Sequence, residues 1–173
     1  MTDAIIRAME PSDVDVLFQW ENNPSNWMDG SGNCRPMSRS DIQRFVDNST
    51  LDIYQERQMR LVIADAQSGS AVGCIDIFDF DPFSLHAYIG ILVDEKHRNK
   101  GYAYYAVKWL IRYSFDVLGI KSLCATMLST NTHSIRLFEK CGFEYIGKRR
   151  QWYRIGDTMY DELIYQLVNT PTI

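Results

Sequence analysis

The chain predicts an α+β fold: a mixed sheet of about seven strands with helices on both faces, in three layers. Three observations carry that reading. His86 to Val93 (HAYIGILV) is almost wholly apolar, as expected of a central strand covered on both faces. From Tyr102 the period changes, and Ala103, Ala106, Val107, Leu110, Ile111, Ser114 and Phe115 fall on one helical face. Near the end, Asp161, Leu163, Tyr165 and Leu167 alternate with Glu162, Ile164, Gln166 and Val168, the period of a strand.

The remaining elements follow in order. Ile5 to Ala8 is a short first strand, and Ser12 can cap a helix carrying Val14, Leu17 and Phe18. Residues 22–39, rich in Asn, Ser, Gly and Pro, read as a long loop and hence a candidate substrate loop. A helix from Asp41 to Asn48 places Ile42, Phe45 and Val46 on one face. Strands follow at Arg60–Ala64 and Ala71–Phe80, joined by a turn at Gln67–Ser70. Gly119 ends the long helix, Lys121 to Leu128 is a strand, and Asn131 or Thr130 caps a short helix that stops at Gly142. Strands at 144–153 and 158–168 meet in a turn at Ile155-Gly156-Asp157.

With 173 residues and 46% apolar content, the chain is expected to form one domain over 1–173 with a substantial core. It has no apolar run of membrane-spanning length, so no membrane partner is expected. Met1-Thr2-Asp3-Ala4 lacks the basic and apolar regions of a signal peptide, which makes the cytoplasm the expected compartment. A net charge of −4 argues against nucleic acid as a partner. Cys34, Cys74, Cys124 and Cys141 form no C-x-x-C pair, so no metal site is expected; Cys34, in a polar loop, is the candidate reactive thiol.

Chemistry concentrates at His97-Arg98-Asn99-Lys100-Gly101-Tyr102-Ala103, between the apolar strand and the amphipathic helix. Four of the five residues from Lys96 to Lys100 can carry positive charge. A helix N-terminus behind a glycine and surrounded by cations is a site for phosphate, or else a solvated basic turn. The spacing matches neither the Walker loop nor the dinucleotide fingerprint.

ILVDEKHRNKGYA followed by its helix resembles the acetyl-coenzyme A signature of the GCN5-related N-acetyltransferase (GNAT) superfamily, (Gln/Arg)-x-x-Gly-x-(Gly/Ala). Asn131-Thr132-His133-Ser134-Ile135-Arg136-Leu137-Phe138-Glu139-Lys140-Cys141-Gly142-Phe143 resembles the family's downstream block, and IRAMEPSDVDVLFQW its first strand and helix. The layout is most similar to the bacterial spermidine/diamine and ribosomal-protein N-acetyltransferase branches. The resemblance implies a mostly antiparallel twisted sheet and acetyl transfer from acetyl-CoA to a primary amine by direct attack, with no covalent intermediate and no metal. It also implies that backbone N–H groups of Asn99, Lys100, Gly101, Tyr102 and Ala103 wrap the pyrophosphate, with Arg98 adding charge. Ile91 and Val93 would offer main-chain groups to the pantetheine arm, and Asn131 would bond that arm, cap its helix, or both.

The chain departs from the family where many members carry a general-acid tyrosine: here the position is Phe138. Candidate replacements are Tyr88 and Ser134; Asp76 and Asp79 are candidates for steering or deprotonating the amine, or else face solvent. Residues 22–50 hold Asp29, Asp41 and Asp47 against Arg35, Arg39 and Arg44, which complements spermidine poorly. Arg35 suits an amine bearing a carboxylate, or a peptide N-terminus. The acceptor is therefore a small amine, a polyamine or a peptide N-terminus. The alternative is a catalytically weak CoA-binding sensor, which Phe138 keeps open. The aromatic final strands (Trp152, Tyr153, Tyr160, Tyr165) suggest a homo-oligomer, expected to be a dimer.

Overall fold

The structure, a computed structural model, describes residues 4–28, 35–49 and 52–170; Cys34 falls outside them. Its centre is a seven-stranded sheet in the order β1-β2-β3-β4-β5-β7-β6. The strands are β1 (Ala4–Ala8), β2 (Met59–Asp65), β3 (Ala71–Asp81), β4 (His86–Val93), β5 (Ser122–Leu128), β6 (Glu144–Ile155) and β7 (Thr158–Val168). Only β4 and β5 pair in parallel; the other five pairings are antiparallel.

The helices are α1 (Val14–Glu21), α2 (Pro24–Met28), α3 (Arg39–Asp47), α4 (Ile53–Glu56), α5 (Tyr102–Arg112) and α6 (Thr132–Cys141). Strand alternation divides the core between the two faces of the sheet. Ile75, Ile77, Ile89, Leu123 and Ala125 pack with Ala106, Val107 and Leu110 of α5 and Phe138 of α6. On the opposite face Cys74 and Leu92 meet Val14, Leu17, Trp20, Ile42 and Val46 of α1 and α3. The three layers are thus a consequence of two amphipathic helix pairs and one sheet that is apolar on both sides.

Several local expectations need correction. Ser12 does not cap the first helix: it sits inside a 3-10 turn at Pro11–Asp13, whose start is closed by the Glu10 N–H donating to Asp13 Oδ2 at 2.8 Å. Pro11 fixes that turn's geometry, and Arg7 pairs with the Asp13 carboxylate at 2.7 Å. The presumed loop after α1 contains a helical turn, α2, and α3 begins at Arg39 because Ser38 accepts the Asp41 N–H. The brief helix α4, capped by Asp52, has too short a period to be seen in sequence. β4 is fully buried only at Ala87 and Ile89, since its second half borders a cleft. Asn131, rather than Thr130, caps α6 by accepting the Ser134 N–H at 3.1 Å.

Candidate active site

Parallel pairing between β4 and β5 lasts only from His86–Tyr88 against Ser122–Cys124. Beyond it the two strands part, although β4 runs on to Val93 and β5 to Leu128. The direction of β4's backbone groups follows from one bond. Asp94 N–H donates to Val72 carbonyl at 2.9 Å, so residues of that parity (90, 92) spend their hydrogen bonds on β3. Ile91 and Val93 therefore turn their main-chain groups toward the opening, while the N–H of Ile89 closes the last parallel pair, Tyr88 against Cys124. A strand edge left open inside a sheet is a place for an extended ligand to add itself. The opening widens into a cleft of ≈ 1150 Å³ bordered by both strands, α5, α6 and α1.

One end of the cleft is cationic. The chain leaves Val93 through a short 3-10 turn, Glu95–His97, capped by Asp94. Asp94 in turn accepts the Trp20 indole N–H at 3.0 Å. Partial burial works against its charge, but the Trp20 donor and the Lys96 N–H hold its carboxyl below the ordinary range. Asn99 (φ 60) and Gly101 (φ 90) both take the left-handed conformation, turning successive amides around the start of α5. The helix's own bonds begin at Tyr105 N–H to Gly101 carbonyl, 3.1 Å, leaving the N–H groups of Tyr102, Ala103 and Tyr104 outside its ladder. Arg98, Asn99, Gly101, Tyr102 and Ala103 border the cleft here, and Arg136 and Lys140 of α6 face them from the other wall. Those two α6 cations were missed in sequence; their spacing of four on one helical face was the available signal.

The loop is braced from outside. Arg98 Nε donates to the Val93 carbonyl at 3.1 Å, and its Nη2 to Asn26 Oδ1 at 3.3 Å. Arg98 thus ties the strand end to buried Asn26 of α2 as well as adding charge. The Tyr102 hydroxyl donates to Asp65 Oδ2 at 2.6 Å, which together with Ser68 lowers the Asp65 carboxyl to about 2. Lys100 is exposed beside Gly101.

The other end lies on the face opposite α5 and is rich in carboxylates. Arg60, Asp76 and Gly90 stand side by side on β2, β3 and β4. Arg60 grips Asp76 through Nε (2.7 Å) and Nη2 (3.1 Å), and its Nη1 reaches Glu21 Oε1 at 2.5 Å. Asp76 borders the cleft rather than facing bulk solvent, and it does so with both oxygens bonded to a guanidinium. Asp79 also borders it, exposed at a break in the β3–β4 register where its φ is 51°. Burial pushes the neighbouring Cys74 thiol up to about 12, so it is a small apolar filler and not a nucleophile.

The structure sorts the remaining candidates. Ser134 and Asn131 border the cleft from the first turn of α6. Phe138 borders it too, 4% exposed and set edge-on to Phe143 at 5.1 Å. Tyr88 is stacked on Phe78 at 5.8 Å and is absent from the described residues that line the cleft. Arg35 is exposed and likewise absent from that lining.

Sequence reasoning missed a second group on this face. Tyr88 lies opposite Cys124; counting in twos along β5 leads to Leu128, whose partner is Glu162 of β7. Glu162 is therefore on the Asp76 face, and it is 2% exposed. It accepts Arg149 Nη1 at 2.5 Å and the Tyr153 hydroxyl at 2.8 Å, and Tyr153 borders the cleft. The signal for Glu162 was a carboxylate at the head of the run LIYQLV, with a basic stretch on the preceding strand. Among the described residues no cluster of three His, Cys, Asp or Glu side chains could hold a metal ion, and no helix is long and apolar enough to cross a membrane.

Comparison with known proteins agrees with this geometry. A family model described as an acetyltransferase (GNAT) domain matches residues 3–144. The spermidine N(1)-acetyltransferase of Vibrio cholerae is 24% identical over 141 residues, 80% of this chain and 77% of that protein. A putative ribosomal N-acetyltransferase of Bacillus subtilis, YdaF, is 24% identical over 179 aligned positions, 94% of this chain and 90% of that protein. A crystal structure of the Vibrio cholerae spermidine N-acetyltransferase with CoA and spermine superposes with a TM-score of 0.87 at 20% identity, over 97% of this chain and 96% of that one, and so shares the fold. An open β4–β5 edge running into a glycine-led helix start, on a sheet matched by that family over most of its length, shows that this chain belongs to the GNAT acetyltransferase family.

Proposed function

We propose that this protein transfers an acetyl group from acetyl-CoA to a primary amine of a small cationic acceptor of the polyamine class, by direct attack within a ternary complex. The observation that carries this reading is the polarity of the cleft. Its donor end gathers Arg98, Arg136 and Lys140 around a helix start. Its acceptor face gathers Glu21, Asp76 and Asp79 against Arg60, with the Arg149–Glu162 pair behind the lining residue Tyr153. Charge asymmetry of this kind suits a polyanionic donor at one end and a polycation at the other. In the neutral 22–50 segment, which argued against a polyamine, Arg44 pairs with Asp41 and Arg39 with Asp15 of α1.

The chain's residues divide the work. Amides from Asn99 to Ala103 bind the donor's phosphates, and the outward main-chain groups of Ile91 and Val93 hold its extended arm. The N–H of Ile91 stabilises the oxyanion, a donor typically worth about 2.7–4 kcal/mol. Gly90 puts no side chain above the sheet beside Asp76. Asp76 and Asp79 attract the amine and hold it, since Asp76 is already committed to Arg60.

Thiol release from acetyl-CoA, followed against spermidine, putrescine, amino acids, aminoglycosides and peptides beginning with Ser or Ala, tests the reading. Turnover is expected on the polyamines. Turnover confined to a peptide or amino acid would overturn the polyamine assignment and point back to Arg35. CoA binding with no turnover on any amine would leave the sensor reading.

We also propose a homo-oligomer. Tyr145, Ile146, Trp152 and Met159, on edge strand β6 and neighbouring β7, are 53%, 54%, 57% and 44% exposed, a row a second copy would cover. Light scattering at micromolar concentration should give a particle larger than the 20.1 kDa chain; a monomer rejects the idea.

A further inference from the structure

We propose that Tyr153 is the catalytic proton carrier of this cleft, replacing the phenol that α6 lacks at Phe138. The proposal rests on the acetyl-transfer reading above. Its first support is position: Tyr153 and Phe138 border the same cleft from different elements. The second is how Tyr153 gets there. β6 pairs Arg149 with Glu162 and Tyr153 with Tyr160, so four steps along β6 match two along β7. The extra residues form a bulge in which Gln151 takes φ 49°, and Asp161 fastens it by accepting the Gln151 N–H at 2.9 Å and Lys148 Nζ at 2.7 Å. Bulges re-aim side chains, and a left-handed non-glycine residue persists only where its surroundings enforce it.

The third support is the partner. The phenol donates to a carboxylate, Glu162, whose other oxygen carries Arg149. Burial of a carboxylate at 2% exposure is costly unless every oxygen is used, and here Tyr153 supplies one of the two bonds. Paired with Arg149, Glu162 is a fixed acceptor that holds the phenol of a residue lining the cleft. Rotation about the phenol C–O bond is all that is needed to present the same proton to a ligand.

The step balances without a further reactant. The neutral amine nitrogen bonds to the thioester carbonyl carbon, and the carbon–sulfur bond breaks. The proton leaving nitrogen is taken by the Tyr153 oxygen as the phenolic proton passes to the departing sulfur. Tyr153 ends neutral, and the products are the N-acetylated amine and the CoA thiol. Glu162 and Arg149 are positioning residues in this scheme; neither changes its protonation.

Tyr153→Phe tests it, with spermidine or whichever amine of the panel wild type turns over. The expected result is a fall in kcat of about 100-fold, within the range of general acid–base groups. CoA affinity by calorimetry should stay unchanged, and the pH–kcat profile should lose the limb that reports the carrier. Phe138→Tyr added to that variant should recover part of the loss by restoring a phenol from α6. A kcat for Tyr153→Phe equal to wild type overturns the proposal. So does a loss confined to the amine KM, or a loss that Phe138→Tyr does not recover and that leaves the pH profile unmoved. Wild type silent on every amine would remove the acetyl-transfer reading itself, and this inference with it.

Discussion

Replacing Arg60 with methionine is expected to cost about 2–3 kcal/mol of stability in urea titrations and to depress turnover at saturating amine. The guanidinium sits between Glu21 and Asp76, and all three side chains are about a fifth exposed (22%, 18% and 22%). Its Cζ also lies 5.3 Å from the centre of the Phe45 ring. Burial alone would lower the Arg60 pKa, but the two carboxylates more than offset this and hold it well above the ordinary value. Removing one member of a buried pair typically costs about 3–5 kcal/mol, because the partner stays behind uncompensated. The residual exposure of this triad reduces that figure through solvent screening. Methionine keeps much of the stem's volume and its contact with Phe45, so the loss isolates charge from packing. The triple change Arg60→Met, Glu21→Gln, Asp76→Asn should then recover most of the stability, since no carboxylate remains unpaired. It should not recover turnover, because Asp76 no longer holds the bound amine in position for attack. A loss below about 0.5 kcal/mol for Arg60→Met would show that water already screens the triad and that Asp76 is free to act as a base.

The contrast between what was readable and what was not has a physical pattern. Elements with a sustained period were legible: HAYIGILV became β4 with its limits unchanged, and the apolar face from Ala103 became α5, although the α-helix stops at Arg112 and a π-helical turn, Tyr113–Val117, carries Ser114 and Phe115. So was the turn that leads into α5, because it is a contiguous run at a strand-to-helix junction. The acceptor face was not legible. Glu21, Arg60, Asp76 and Glu162 come from four elements, and each reads locally as a solvent-facing charge. Their juxtaposition depends on which strands are neighbours and in what register, which no local period encodes. The same holds for Tyr153. In sequence it belongs to an aromatic cluster that suggests an interface; only a two-residue bulge turns it toward Glu162. Tyr88 stands at the start of β4 with its ring stacked on Phe78 and its hydroxyl near Arg149, contacts that also depend on strand register.

Gly101→Val is expected to weaken acetyl-CoA binding by about 10- to 100-fold while leaving the fold intact. Gly101 holds φ 90° and ψ −6° as the residue that opens α5. A β-branched residue is strained there by about 1–3 kcal/mol, and each 1.4 kcal/mol corresponds to about tenfold in affinity. Where that strain is relieved decides the phenotype. α5 is fixed behind the loop by Ala106, Val107 and Leu110, all 0% exposed, and by the Tyr102–Asp65 hydrogen bond at 2.6 Å. The loop ahead of it is exposed from Arg98 to Gly101 and has less to lose by moving. The amides of Asn99 to Ala103 should therefore shift out of the arrangement that faces the cleft, and donor affinity falls before the core does. Gly119→Val supplies the control. Gly119 has a comparable φ of 69° and open space around its Cβ position, but it lies beyond the π-helical turn Tyr113–Val117 that follows α5. It should lose stability of the same order and keep the wild-type Kd for acetyl-CoA. Calorimetric titration of both variants separates the cases. Equal affinities in wild type and Gly101→Val would mean that the donor's phosphates are held by the side chains of Arg98, Arg136 and Lys140 rather than by the backbone of the helix start.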